Sequence, residues 1–169
     1  MEGKEPDLQR KRAAYHEAGH VIADLILGHR FRFVTIKPGE PDEKDRAVHG
    51  ITRGRAKDLA VIQLAGIAAS AKMTGCDPFE NPDLSDDDRD DIATAETFID
   101  NWVAFLRSTY GEAAYREQIR EETEHRTREL VDRNWNAIEV VAEALQKKET
   151  LSFDEVTRIL KGPVPGVHP

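Results

Sequence analysis

The chain has 169 residues, of which 39% are hydrophobic and 33% are charged, and its formal net charge at pH 7 is −8. A chain of this length can bury the core of one domain without disulfide bonds, and the single cysteine, Cys76, excludes an internal one. The negative charge argues against nucleic acid or an anionic membrane surface as the main partner. We therefore expect one domain over residues 1–169, with flexible ends at residues 1–6 and 163–169.

The N-terminus and the apolar stretches predict where the protein is found. The first residues hold no basic segment followed by an apolar one, so we expect no signal peptide. The apolar stretches over residues 21–27 and 59–71 are interrupted by Asp24 and Gln63. Both are shorter than the roughly 20 residues that span a bilayer. We expect a soluble, cytoplasmic protein with no membrane partner.

The first half of the chain predicts two helices and two short strands. An apolar stripe at helical spacing predicts a first helix, which Asp7 caps and Gly28 ends. Alternating, β-branched residues predict a strand over residues 31–37, and residues 48–53 fit a second strand that pairs back on the first as a small β-hairpin. A second helix, apolar on most sides and therefore central, is predicted over residues 56–73.

The second half of the chain is predicted to be helical. Ser85 can cap a third helix whose first turns are acidic, as the helix dipole favours. The pattern is helical again from Glu112 to Lys148, and residues 152–155 form a capping box that opens a last short helix. The fold class predicted from these elements is a mainly α domain with a small β-hairpin.

Residues 16–20, His-Glu-Ala-Gly-His, form an H-E-x-x-H motif inside the first predicted helix. Residues four apart lie on the same face, so the imidazoles of His16 and His20 can both reach one zinc ion. The metal lowers the pKa of a bound water towards about 7. Glu17 is then expected to be the general base, which takes a proton from this water during attack on a peptide carbonyl and passes it to the leaving amine.

A catalytic zinc usually has three protein ligands, so a further residue is needed. The elongated motif with a third histidine six residues on fails, because Ala23 and Ile26 occupy the required positions. The acidic run over residues 86–91 is the best place to look for the missing ligand.

Three carboxylates in or after this run are candidates. Asp91 lies most cleanly on the apolar face of the third helix, which must point inward. Asp88 shares part of that face. Glu96 is the third candidate, with Asp100 four residues later as a supporting partner.

Several segments, in order along the chain, resemble the protease domain of the FtsH family, zinc peptidases that normally carry an AAA+ ATPase module and a membrane anchor. Residues 14–22, Ala-Tyr-His-Glu-Ala-Gly-His-Val-Ile, are similar to the active-site helix of that family. Residues 34–38 and 50–52 resemble its two pairing strands, and residues 64–69 resemble its central helix. With similar segments within residues 134–156, the resemblance covers roughly residues 10–160.

The resemblance implies a zincin-like, FtsH-type peptidase domain that binds Zn²⁺ through His16, His20 and Asp91. Asp91 is assigned because Asp91-Ile92 with Ala95 matches the segment that supplies the family's third ligand, an aspartate. In zinc peptidases of this class an edge strand binds the substrate backbone, a role that residues 50–53 can fill.

The chain departs from the family in two respects. Ser70 stands where the family usually has a glutamate, so the role of that glutamate does not carry over. The 169 residues also contain no G-x-x-x-x-G-K-[ST] loop and nothing else that resembles an ATPase.

Two functions from different classes follow. The leading hypothesis is a stand-alone zinc metallopeptidase, an endopeptidase, that acts on peptides or unfolded proteins. The alternative is a zinc-containing, weakly proteolytic or non-proteolytic module that regulates or binds a partner, such as a partner ATPase. A homo-oligomer is compatible with either hypothesis.

Overall fold

A computed structural model of the chain describes residues 5–37, 55–80, 84–110 and 115–161. These residues form six helices and two short strands: α1 (Glu5–Ile26), β1 (Phe33–Thr35), α2 (Ala56–Thr74), α3 (Asp86–Tyr110), α4 (Arg116–Arg133), α5 (Trp135–Lys148), β2 (Thr150–Ser152) and α6 (Phe153–Leu160). The mainly helical fold class is therefore confirmed. The flexible end predicted for residues 163–169 lies outside the described residues.

Helix α2 is the centre of the fold, as its composition predicts. Every residue from 59 to 71 except Gln63 is buried, and the helix packs against α1, α3 and α4. One apolar cluster joins α2 to α1, α4 and α5, and a second joins it to α3. Because each buried aliphatic side chain contributes about 1.5–3 kcal/mol, this double-sided burial fixes the neighbours of α2 in place.

Small residues let α1 and α2 approach each other closely. A Cβ atom added at Gly19 would overlap the carbonyl oxygen of Ala65 and lie 2.8 Å from the Cβ atom of Ala69. The two backbones are therefore in direct contact at the middle of the H-E-x-x-H motif. This contact places the motif against the most buried helix of the fold.

The described sheet pairs β1 with β2 in antiparallel register, with Val34 opposite Leu151. The partner strand predicted over residues 48–53 lies outside the described residues, and so does the proposed substrate strand at residues 50–53. Strand β2 has only three residues between two helices, which is too short for an alternating pattern to reveal it. The sheet joins the segment after α1 to the C-terminal helices.

Two helix boundaries differ from the prediction. The first helix begins at Glu5, so Asp7 is not its cap and residues 5–6 are not part of a disordered start. Proline is compatible with the first turn of a helix, which explains why Pro6 does not delay the helix.

The helix predicted from Glu112 to Lys148 is divided at Asn134. The backbone N–H and the side-chain amide of Asn134 both donate to the carbonyl of Leu130 (3.2 and 2.8 Å), so this residue closes the end of α4 with a local side-chain bond. The break lets α4 and α5 pack against different parts of the core.

Within the described residues, no helix carries an apolar stretch long enough to cross a membrane.

The capping box before α6 forms as predicted. The Ser152 hydroxyl accepts a hydrogen bond from the backbone N–H of Glu155 (3.3 Å), and the Glu155 carboxylate accepts one from the backbone N–H of Ser152 (2.9 Å). These bonds satisfy two groups that the start of a helix otherwise leaves unpaired.

We expect Ser152→Ala to lower the free energy of unfolding by about 1 kcal/mol, because it removes the acceptor for the first turn of α6. Urea unfolding followed by circular dichroism measures the change. Thr157→Ala is the control, since the Thr157 hydroxyl is exposed and donates only to the carbonyl of Asp154. Equal effects of the two substitutions would contradict a specific capping role.

Candidate metal centre

The two histidines of the motif meet one aspartate from α3. His16 and His20 lie one turn apart on α1, with ring centroids 4.7 Å apart and an interplanar angle of 80°. Oδ2 of Asp91 lies 3.0 Å from Nε2 of His16 and 3.1 Å from Nε2 of His20. The two Nε2 atoms are themselves 3.1 Å apart. Three potential ligand atoms thus form a nearly equilateral triangle.

The other ring nitrogens have hydrogen-bond partners of their own. Nδ1 of His20 donates to the backbone carbonyl of Ile62 (2.8 Å), and Nδ1 of His16 lies 3.3 Å from Oδ1 of Asp88 and donates to it. With a proton on each Nδ1, a neutral imidazole carries its lone pair on Nε2. Both lone pairs then face the Asp91 carboxylate.

This arrangement fits a metal ion in its dimensions. In a tetrahedral shell with bonds of about 2.0–2.1 Å, ligand atoms lie about 3.3 Å from one another. The three distances of 3.0–3.1 Å are close to that value. Among the described residues, His16, His20 and Asp91 are the one set of three that can offer ligand atoms within 4.8 Å of each other.

Electrostatics show that the triangle requires positive charge. Burial lowers the pKa of His16, but hydrogen bonds to Asp88 and Asp91 outweigh burial and raise it to about 10. Burial also lowers the pKa of His20, and the Asp91 charge raises it above its ordinary value. Burial raises the pKa of Asp91, but the two imidazoles outweigh burial and hold that pKa below its ordinary value. Protons on the imidazoles thus supply the charge that a divalent cation can supply instead.

Glu17 is placed beside the same group. It follows His16 on α1 and is 7% exposed. Its negative charge contributes to raising the pKa of both His16 and His20. Glu17 is therefore a buried carboxylate next in sequence to one of the three potential ligands.

The backbone of α2 forms one wall of the centre. A Cβ atom added at Gly66 would lie 2.9 Å from Nε2 of His16 and would overlap the ring of His20. A residue with any side chain at this position must therefore displace the imidazoles. The sequence motif does not reveal this requirement, because Gly66 lies 46 residues beyond His20.

The structure separates the three candidates for the third ligand. Asp91 joins the two Nε2 atoms, whereas Asp88 lies on the opposite side of the His16 ring.

Glu96 pairs with Arg116 and Arg120, and its predicted supporting partner Asp100 also pairs with Arg116. Glu96 and Asp100 therefore connect α3 to α4 and are not part of the triangle.

Comparison with models of protein families and with curated proteins finds no match to this chain. The chemical interpretation of the centre therefore depends on its geometry and on its donor atoms.

Asp24 is a buried carboxyl that the sequence does not explain. It lies on α1 one turn beyond His20, is 3% exposed, and has no hydrogen-bond partner for Oδ1 among the described residues. Burial raises the pKa of Asp24 to about 7, and His20 offsets only part of that increase. Ionisation of this group therefore opposes folding.

We expect Gly66→Ala to weaken divalent-metal binding by roughly tenfold or more, the scale at which displaced supporting groups reduce metal affinity. The added methyl group must push the two imidazoles away from Asp91. Competition with a chromophoric chelator measures the affinity for Zn²⁺. Thermal unfolding of the metal-free variant checks that the fold is retained. A folded variant with unchanged affinity would contradict the close contact.

We expect Asp24→Asn to remove one component of the pH dependence of stability. The pKa of Asp24 rises from 3.8 to about 7 on folding, so the folded state binds the proton more tightly. The proton on Asp24 therefore contributes to the free energy of unfolding. This contribution is complete below the pKa that Asp24 has in the unfolded chain, and it is lost as the pH rises through the pKa that Asp24 has in the folded protein.

Urea unfolding of the metal-free protein between about pH 5 and about pH 8 should show a steeper loss of stability in the wild type than in the variant. Asp86→Asn is the control, because the Asp86 side chain is 98% exposed. Identical pH profiles for wild type and Asp24→Asn would refute the assignment.

Proposed function

We propose that the chain is a zincin-like metallopeptidase, in which His16, His20 and Asp91 bind Zn²⁺ and Glu17 is the general base. Within that class, the order of the motifs along the chain favours an FtsH-like peptidase. The observation that carries the proposal is the triangle of two Nε2 atoms and one carboxylate oxygen, with sides of 3.0–3.1 Å.

The potential ligand atoms support zinc as the metal, and they support a catalytic site over a structural one. Two neutral imidazoles and one carboxylate are ligands that zinc accepts in a tetrahedral shell. Structural zinc sites have four protein ligands, whereas catalytic sites have three and leave one position for water or substrate. Among the described residues three potential ligands converge, two from α1 and one from α3, and this number favours the second arrangement.

The residues around the centre divide the chemistry between them. A zinc ion held here supplies Lewis acidity, which activates water and polarises the scissile carbonyl. Glu17 accepts a proton as the water oxygen bonds to the carbonyl carbon, and it returns that proton to the amine nitrogen as the C–N bond breaks. Asp88 and the carbonyl of Ile62 hold the Nδ1 protons and keep both Nε2 lone pairs directed at the metal position.

The substrate that we propose is a peptide or an unfolded protein. ATP-driven unfolding normally delivers substrates in the FtsH family, and no P-loop occurs in these 169 residues. The substrates that we propose for this centre are segments that are already extended, or segments that a partner ATPase delivers. The lack of a P-loop within these 169 residues also favours the second candidate function, a zinc-containing module that binds or regulates a partner.

We expect Glu17→Gln to keep one bound zinc per chain and to lose about 100- to 10,000-fold in hydrolysis of a quenched-fluorescence peptide, because the amide cannot accept the proton. Elemental analysis measures the metal and fluorescence measures the rate. Glu121→Gln is the matched control, since Glu121 is exposed on α4.

The outcomes separate the candidates. Unchanged hydrolysis in Glu17→Gln would remove Glu17 from the mechanism. A wild-type chain that holds one zinc but cleaves no peptide in a flexible library would favour the regulatory module. A chain that binds no zinc, even when supplied with it, would exclude both candidates.

A further inference from the structure

Asp88 is a buried carboxylate on which donors from three residues converge, two on α1 and one just before α3. It is 1% exposed, although it belongs to an acidic run at the start of α3. Its Oδ2 accepts hydrogen bonds from the backbone N–H of Ser85 (2.9 Å), the Ser85 hydroxyl (2.7 Å) and Nη2 of Arg12 (2.6 Å). Its Oδ1 lies 3.3 Å from Nδ1 of His16.

Helix capping explains only part of this arrangement. Ser85 and Asp88 form a reciprocal cap, in which the backbone N–H of Asp88 also donates to the Ser85 hydroxyl (3.2 Å). A cap needs neither the guanidinium of Arg12 nor the imidazole of His16. The neighbouring carboxylates Asp86 and Asp87 are exposed, as expected for residues that serve only the helix start.

The two oxygens of Asp88 therefore have separate roles. Oδ2 is held by the cap and by Arg12, so the carboxylate cannot rotate freely. Oδ1 is left to face His16 across the gap between α3 and α1. A carboxylate fixed in this way accepts the Nδ1 proton, determines the tautomer and orients the ring.

We propose that Asp88 is a positioning residue that fixes the tautomer and orientation of His16 for metal binding, and that Arg12 holds Asp88 in place. This inference rests on the proposed function of the His16, His20 and Asp91 centre. It replaces the sequence-based alternative in which Asp88 is itself a ligand, because its oxygens face Nδ1 and not Nε2 of His16.

The two histidines differ in how their tautomers are set. Nδ1 of His20 donates to a backbone carbonyl, that of Ile62, which no side-chain substitution removes. Nδ1 of His16 depends on a side chain. The negative charge of Asp88 also raises the basicity of His16 as a ligand, and Arg12 limits the total negative charge behind the ring.

The test compares four variants by their zinc dissociation constants and by nitrogen-15 NMR of the histidine rings in the zinc-loaded protein. We expect Asp88→Ala to weaken zinc binding by about 10- to 100-fold and to shift the His16 ring signals. Asp88→Asn should lose less, because its amide oxygen can still accept the Nδ1 proton. Asp87→Asn, an equal change of charge at an exposed neighbour, should leave both measurements unchanged.

Ser85→Ala distinguishes positioning from helix capping. It removes the cap hydroxyl, but the backbone N–H of Ser85 and the guanidinium of Arg12 still hold Oδ2, and the pair of Asp88 and His16 stays. We therefore expect lower thermal stability with zinc affinity within about threefold of the wild type. An equal loss of zinc affinity in Ser85→Ala and Asp88→Ala would overturn the inference.

Failure of this inference is separable from failure of the proposed function. Wild-type zinc affinity and unshifted His16 signals in Asp88→Ala would overturn the positioning role alone. A wild-type chain that binds no zinc would overturn both.

Discussion

Three electron-rich atoms, two imidazole nitrogens and a carboxylate oxygen, are held 3.0–3.1 Å from one another at the meeting point of α1 and α3. Their mutual repulsion must be balanced by positive charge, because burial removes most of the water that would otherwise screen it. Protons meet this requirement in part, because the neighbouring carboxylates raise the pKa of both histidines. The surrounding fold can be understood as the set of contacts that keeps these atoms together despite that repulsion.

Helix α2 is the main source of these contacts. It places a residue without a side chain, Gly66, against both imidazoles and offers the carbonyl of Ile62 to His20. Gly19 allows the backbone of α1 to touch that of α2 in the middle of the motif. The apolar clusters on the two sides of α2 prevent α1 and α3 from moving apart. Burial of apolar surface thus supplies the energy that holds these buried polar groups close together.

The sequence was most informative where a local pattern has a local cause. Helical periodicity predicted the helices, the H-E-x-x-H spacing predicted a shared face, and the Ser152 capping box was visible in four residues. Burial on the apolar face favoured Asp91 over Glu96 as the partner of the histidines, and the structure brings Asp91 to them. These features depend on residues within a few turns of each other.

The remaining features depend on contacts between distant segments. The pairing of β1 with β2, the close contact at Gly66 and the position of Asp88 behind His16 each join residues that are far apart in sequence. The break at Asn134 was missed because an amide that bonds back to its own helix leaves no break in the apolar periodicity. In the sequence Asp24 only interrupts an apolar stretch. Its burial depends on packing around the end of α1, which the sequence pattern does not show.

The pairing of β1 with β2 also has a consequence for the order of events during folding. Glu149, which has a positive φ of 66°, turns the chain from α5 into β2; its backbone carbonyl accepts from Ile36, and its carboxylate pairs with Arg10 near the start of α1. Arg10 on α1 and Ile36 just after β1 are therefore both tied to a residue more than 100 positions later in the chain. Such long-range pairing closes late in folding. Helix α1 can therefore form before these contacts do, and the cluster of His16, His20 and Asp91 reaches its final rigidity only when Glu149 has paired with Arg10 and Ile36.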